Sequence, residues 1–135
     1  MIDKIAKHFN FQQQALGLRS YRNEVLASNI ANSETPYYKS VDFDFNKTLA
    51  QAELLQKKES MSMEKTHQSH LQGKVRAVSL AELQYRREVQ PSIDGNTVDM
   101  DLERTQFTDN SMRYQTTLTF LNRRISGLSD AIKGQ

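Results

Sequence analysis

Eight positions near the C-terminus, Phe107, Ser111, Tyr114, Leu118, Leu121, Ile125, Leu128 and Ile132, recur at spacings of 4, 3, 4, 3, 4, 3 and 4, and seven of the eight are apolar. Those spacings hold a narrow stripe on one side of an α-helix, as in a coiled coil. The helix they define begins near Asp99 or Asp101. Asp101 and Glu103 fall in its first turn, where the helix dipole favours negative charge. Arg123, Arg124 and Lys133 lie toward its end, and Gly134 suits a C-cap. At about 1.5 Å per residue it is roughly 45 Å long.

Met1 to about Asn32 reads as a second helix of similar length. One seam runs Ile2, Ile5, Phe9, Leu16, Leu26 and Ile30, interrupted by Gln12, Arg19 and Asn23. A second series, Phe11, Leu18 and Val25, lies about 200° around, at about 100° per residue. A helix apolar on two sides wants more than one neighbour. That reading is favoured over burial inside the chain's own domain, because few apolar residues lie elsewhere. The helix stops hard: Asn29 and Asn32 tolerate the left-handed conformation that closes helices, and Pro36 biases Thr35 toward extended backbone. Two aromatics, Tyr37 and Tyr38, follow and read as anchors against a neighbouring helix or subunit.

Between the helices the pattern is weaker. Val41 to Phe45 alternates like a short strand, yet Asp42 or Asp44 can cap a helix from about Phe45 to Lys57; helix is the preferred reading. Residues 56–74 lack any period and read as a flexible loop. Val75 to Val89 fits helix or strand. Asp94-Gly95 is a tight-turn pair that predicts a hairpin between Gln84–Gln90 and Asn96–Met100. The expected fold is mainly α: long N- and C-terminal helices packed as a coiled coil around a small irregular middle with a short helix and a β-hairpin. The chain divides as one domain, 1–135, with assembly helices over 1–34 and 99–135 and a middle region over 35–98.

Apolar residues make up 37% of the chain. Exchanging its five Tyr for its five Gly leaves that figure unchanged, and globular domains run at about 45–50% on that count. Mean hydropathy is −0.70. The core is therefore expected to be thin and completed by partners. A net charge of +2 with interspersed signs is no nucleic-acid footprint. No run approaches the roughly 18 apolar residues of a membrane span, and Asp3, Lys4, Lys7 and His8 break up any signal-peptide core.

Chemistry is sparse. His67 and His70 have metal-ligand spacing, but only Glu64 is close and the chain has no Cys, so three or four converging ligands are lacking. His8 is expected to face solvent. Asp94, Asp99, Asp101 and Glu103 are explained by a turn and a helix start. The glycines, at 17, 73, 95, 127 and 134, form no phosphate loop. Arg19, Arg22, Arg123 and Arg124 are read as a solvated face or as interhelical ion pairs with Glu24, Asp130 or a neighbour's acids rather than as an anion surface. No catalytic residues, cofactor, metal, nucleic acid or small-molecule substrate are expected.

One stretch carries a resemblance. Asn29, Ala31, Asn32, Thr35, Pro36 and Tyr38 match the N-terminal signature of bacterial flagellar axial proteins, the rod, hook and junction subunits. The usual form has Gly after Pro36, where this chain has Tyr37. Lys39-x-x-Asp42-Phe43-Asp44-Phe45 extends the match, and Thr66-x-x-x-His70-Leu71 resembles a short segment of a proximal-rod member. Asp94-Gly95-Asn96-Thr97-Val98-Asp99, with the closing Tyr114-Gln115 and Leu121-x-x-Arg124, resembles one short proximal-rod branch. The other short rod branch carries Arg-Ala-Tyr-Gln-Asn where this chain has Met112-Arg113-Tyr114-Gln115-Thr116. The resemblance implies a structural subunit of the proximal rod, part of the hollow drive shaft linking the inner-membrane (MS) ring to distal rod and hook. It implies assembly through Ile5, Phe9, Leu16, Leu18, Val25, Leu26, Ile30, Tyr114, Leu118, Leu121, Ile125, Leu128 and Ile132. Implied partners are copies of itself, other rod proteins, the MS ring with its rod-base adaptor, and the type III export apparatus, which delivers the subunit to the periplasmic rod without a cleaved signal. The alternatives are the other short rod paralogue, a soluble coiled-coil adaptor, or a metal protein using His67 and His70.

Overall fold

The computed structural model describes residues 2–59, 80–87 and 92–134. In chain order the elements are α1 (Ile2–Ala31), β1 (Val41–Asp42), α2 (Phe45–Glu59), β2 (Gln84–Tyr85) and α3 (Met100–Lys133). Helices α1 and α3 run antiparallel along each other: Asn29 meets Glu103, Asn23 meets Asn110, and Phe9 faces Ile125 and Leu128. Helix α2 packs on another side of α1.

The caps follow the sequence. Asp99 is the N-cap of α3, accepting from the Asp101 and Leu102 amides at 3.1 and 3.2 Å, and Gly134 closes it at φ 74°. Asp44, not Asp42, caps α2 through the Lys47 amide at 3.1 Å. That releases Asp42 for other partners.

Among the described residues the core is small. Leu18, Phe43 and Ala52 form one cluster, with Tyr21, Phe45, Leu49, Leu80 and Ala81 packed around them, and Ala15, Val25 and Leu26 are buried elsewhere along α1. Tyr21 stacks on Phe43 at 5.6 Å between ring centres. Helix α1 is indeed covered on two sides, but at Leu18 the second neighbour is the chain's own β1–α2 segment and not another subunit.

Three expectations are corrected. The Asp94-Gly95 turn forms, with Gly95 at φ 71°, but among the described residues no hairpin closes on it. Gln84 and Tyr85 pair instead with Asp42 and Val41, while Thr97 bonds to Tyr38 and Ser40. Second, neither Asn29 nor Asn32 takes a left-handed conformation; α1 ends in successive turns, and the left-handed residue is Tyr37 at φ 60°. Third, α2 runs on to Glu59, so residues 56–59 are helical and not loop. The rest of the 56–74 stretch, with Glu64, His67 and His70, lies outside the described residues.

Candidate functional site

Two regions of the helical pair differ sharply in chemistry. The first is a polar junction, where the end of α1 meets the start of α3. Asn29, fully buried, is its centre. Its amide donates to the Val41 carbonyl at 2.7 Å and to Glu103 Oε2 at 3.2 Å. Its Oδ1 accepts from the Val41 amide and from the Tyr38 hydroxyl, both at 3.1 Å. One side chain thereby ties α1, the connector and α3 together. Tyr38 is the anchor the sequence suggested, and it holds its own α1.

Charge sits beside this asparagine. Arg22 forks onto Asp42 at 2.8 and 3.1 Å and reaches Gln106 at 2.9 Å. Arg86 bridges Asp42 and Glu103, the latter at 2.9 Å. Two guanidinium and two carboxylate groups thus balance in a mostly buried cluster. Burial pushes the Asp42 carboxyl up, but the hydrogen bonds from Arg22 and Arg86 outweigh it and leave it below its ordinary value of 3.8. The bond to Asp42 in turn raises Arg22. Burial dominates at Glu103 and pushes its carboxyl above 4.5, although Asn29 and Arg86 pull the other way.

The second signature segment closes the junction. The Asn96 amide donates to the carbonyls of Asn32, Ser33 and Thr35 at 3.1, 2.8 and 2.9 Å. Its Oδ1 accepts from the Val98 amide at 2.8 Å. The Tyr37 amide donates to the Asp94 carbonyl at 3.0 Å. So the structure brings Asn29, Asn32, Thr35, Tyr38, Asp94, Asn96, Val98 and Asp99 into one place, although about 60 residues separate the two motifs. Ala31 and Pro36 lie exposed at its edge.

Gly95 and Tyr37 are coupled. Gly95 holds φ 71°, which favours glycine, and a Cβ there would lie 3.0 Å from Tyr37 Cδ1, so the ring would have to shift by a few tenths of an ångström to admit one. Tyr37 itself is 81% exposed and holds a positive φ that costs a side-chain-bearing residue roughly 1–2 kcal/mol. Tyr37→Gly is therefore expected to stabilise the chain by about 0.5–1 kcal/mol, the relief being offset in part by glycine's larger chain entropy. Urea unfolding checks this; a loss of stability would show that the ring on Gly95 outweighs the strain.

Along the middle of the pair, the polar interruptions of the two seams meet. Asn110, 2% exposed, donates to the Arg19 carbonyl at 2.7 Å and to Asn23 Oδ1 at 2.8 Å. Ser111, the one polar place in the α3 stripe, donates to the same Asn23 oxygen at 3.3 Å. Matched buried polar groups of this kind fix the register of paired helices. Arg19 lies over the Phe45 ring at 4.7 Å, and burial lowers its pKa.

The second region is the far end of the pair, where apolar side chains are bare. Ile125 is 51% and Ile132 85% exposed. Ile5, Leu118, Phe120 and Leu128 are also exposed, and Phe9, Leu16, Tyr114 and Leu121 are only half covered. By contrast Leu18, Val25 and Leu26 are buried within the chain, and Ile30 is half-buried. His8 does not face solvent as expected: it is half-buried, and its Nε2 is buried without a hydrogen-bond partner among the described residues. Among the described residues no three His, Cys, Asp or Glu converge as metal ligands, and no helix is long and apolar enough to cross a membrane.

No family model matches the chain. Individual proteins do. The flagellar basal body rod protein FlgB of Escherichia coli K12 is 44% identical over 137 residues, covering 98% of both chains. FlgB of Salmonella typhimurium LT2 is 41% identical, covering 99% of both. FlgB of Cereibacter sphaeroides is 48% identical over 122 residues, covering 90% of this chain and 91% of its own.

Proposed function

The chain belongs to the family of the flagellar basal body rod protein FlgB, and from that premise we propose that it is a non-catalytic structural subunit of the proximal rod. It assembles through its terminal helices into the shaft that links the inner-membrane ring to the distal rod and hook. Its neighbours are copies of itself, other rod proteins and the ring with its adaptor, and it reaches the periplasm through the flagellar export apparatus. The chain acts as a single unit, with assembly helices over 1–34 and 99–135 held by the middle region over 35–98.

One observation carries this reading: burial falls steeply from one end of the helical pair to the other. At the junction Asn29 and Glu103 are 0% and 1% exposed, while Ile132 at the far end is 85% exposed. A contiguous apolar stripe left bare on a small chain marks a surface that a partner covers. Of the residues assigned to assembly, Ile5, Leu118, Ile125, Leu128 and Ile132 are therefore the outward contacts, with Phe9, Leu16, Tyr114 and Leu121 at their edge. Leu18, Val25 and Leu26 support the subunit from within.

Ile125→Glu tests it. The site is open enough to take a charge, so the purified variant is expected to keep its helicity and its unfolding midpoint. In flagellated cells lacking their own copy, it is expected to leave rods unassembled and swimming absent. Normal swimming with the variant incorporated would overturn the proposal.

A further inference from the structure

We propose that the groove between the free ends of α1 and α3 takes an acidic amphipathic helix of a partner protein, seating an apolar side chain on Phe9 and Leu128 and a carboxylate between His8 and Arg124. The proposal rests on the rod-subunit reading and names the chemistry of one neighbour.

Three observations converge on it. The groove is apolar at its floor, with Ile5, Phe9 and Leu128 around one mouth and Ile125 and Ile132 continuing it. The charged side chains on its rim are cationic, Arg124 beside His8 at one mouth and Lys133 at the other, and among the described residues no carboxylate lines either. Asp130 is on the same helix but lines neither. Arg124 sits over the Phe120 ring at 5.8 Å, a contact that holds the guanidinium while leaving its N–H edge for a partner. Among the described residues no acid pairs with it. Finally, His8 Nε2 is buried and without a partner among the described residues, an uncommon arrangement that a carboxylate oxygen accepting from it would satisfy.

The shape of the site favours a helix. The groove lies between two long helices, so anchors spaced three and four residues apart would track it. Gly127 lines it, and a Cβ there would meet nothing within 4 Å, so a partner backbone can come close. A second copy docking by the same face would set Arg123, Arg124 and Lys133 against their own equivalents, which like-charge repulsion disfavours.

The full-length chain is titrated with two synthetic helical peptides that share a leucine stripe, one flanked by Glu and one by Lys. The Glu peptide is expected to bind about tenfold tighter or better at low salt, with the preference shrinking as salt rises. Arg124→Glu is expected to reverse the preference. Gly127→Leu, whose side chain enters open space, is expected to remove binding of both peptides while leaving helicity intact. Equal binding of the two peptides, no binding of either, or indifference to both substitutions would overturn the proposal. So would self-association in sedimentation that Gly127→Leu abolishes, which assigns the groove to a second copy. Cells separate the two levels. Swimming lost with Ile125→Glu but retained with Arg124→Glu overturns this inference alone, whereas swimming retained with both overturns the rod-subunit reading.

Discussion

Asp42→Ala is expected to destabilise the folded chain by about 3 kcal/mol, because in a mostly buried site it leaves Arg22 with no carboxylate partner among the described residues and takes one of two from Arg86. The Asp42 side chain is 13% exposed, and those of Arg22 and Arg86 are 22% and 18% exposed. Neither cation can recover its hydration without opening the junction. Against the roughly 5–15 kcal/mol that holds a typical domain, and with so thin a core, the loss is expected to leave much of the variant unfolded at 37 °C. Urea unfolding measures it, and a change under 1 kcal/mol would mean that the cluster is solvated.

Acid offers an independent check with a definite sign. Asp42 is lowered by folding, so the stability it supplies is complete above its ordinary 3.8 and disappears as pH falls through its folded value. Glu103 is raised by folding, so it opposes folding at neutral pH. That penalty is relieved as pH falls through its raised value toward 4.5. Stability is thus expected to rise slightly on mild acidification and then drop below about pH 4. Asp42→Ala should remove this cluster's share of the drop and keep the rise, while Glu103→Gln should remove the rise.

Periodicity made the two long helices legible, and cap chemistry placed the ends of α3 nearly to the residue. What periodicity could not show is that the most buried α3 positions are polar. Glu103 and Asn110 lie seven residues apart on a face that hydropathy scores as surface. They are buried because α1 presents Asn29, Asn23 and the Arg19 carbonyl opposite them. Complementarity of that kind exists only once two segments meet. A signal was nevertheless present: the break in the α1 seam at Asn23 and the serine in the α3 stripe were visible as separate blemishes, and they prove to be one contact, whereas the Arg19 side chain turns onto the Phe45 ring. The hairpin failed for a related reason. A local turn signal fixed Asp94-Gly95 correctly, but the choice of strand partner went to Val41–Asp42, whose neighbours Arg22 and Arg86 hold that connector in place.

Asn96→Asp, a change of one atom type in nearly the same volume, is expected to cost about 3 kcal/mol or more at neutral pH, and at least as much as Asn96→Ala. Three carbonyls surround the Asn96 nitrogen within 3.1 Å, and the side chain is 5% exposed. An ionised Asp offers only acceptors, so the Ser33 carbonyl loses the Asn96 donor, the Asn32 and Thr35 carbonyls keep only the Thr35 and Tyr38 amides, and all three face a negative oxygen instead. Alanine merely withdraws the donor. Acid should restore part of the loss in the Asp variant, because a protonated carboxyl regains one O–H, and no such recovery is expected with Ala. The damage should also be local. The Tyr37, Thr97 and Val98 amides, whose acceptors belong to the 94–98 turn and its connector, should exchange with solvent faster. Amides in the middle of α1 and α3, held by the Asn110–Asn23 contact, should change less. If they lose protection equally, the junction and the helical pair unfold as one unit. If the Asp variant proves more stable than the Ala variant, the three carbonyls are satisfied by water, and the junction is looser than its geometry indicates.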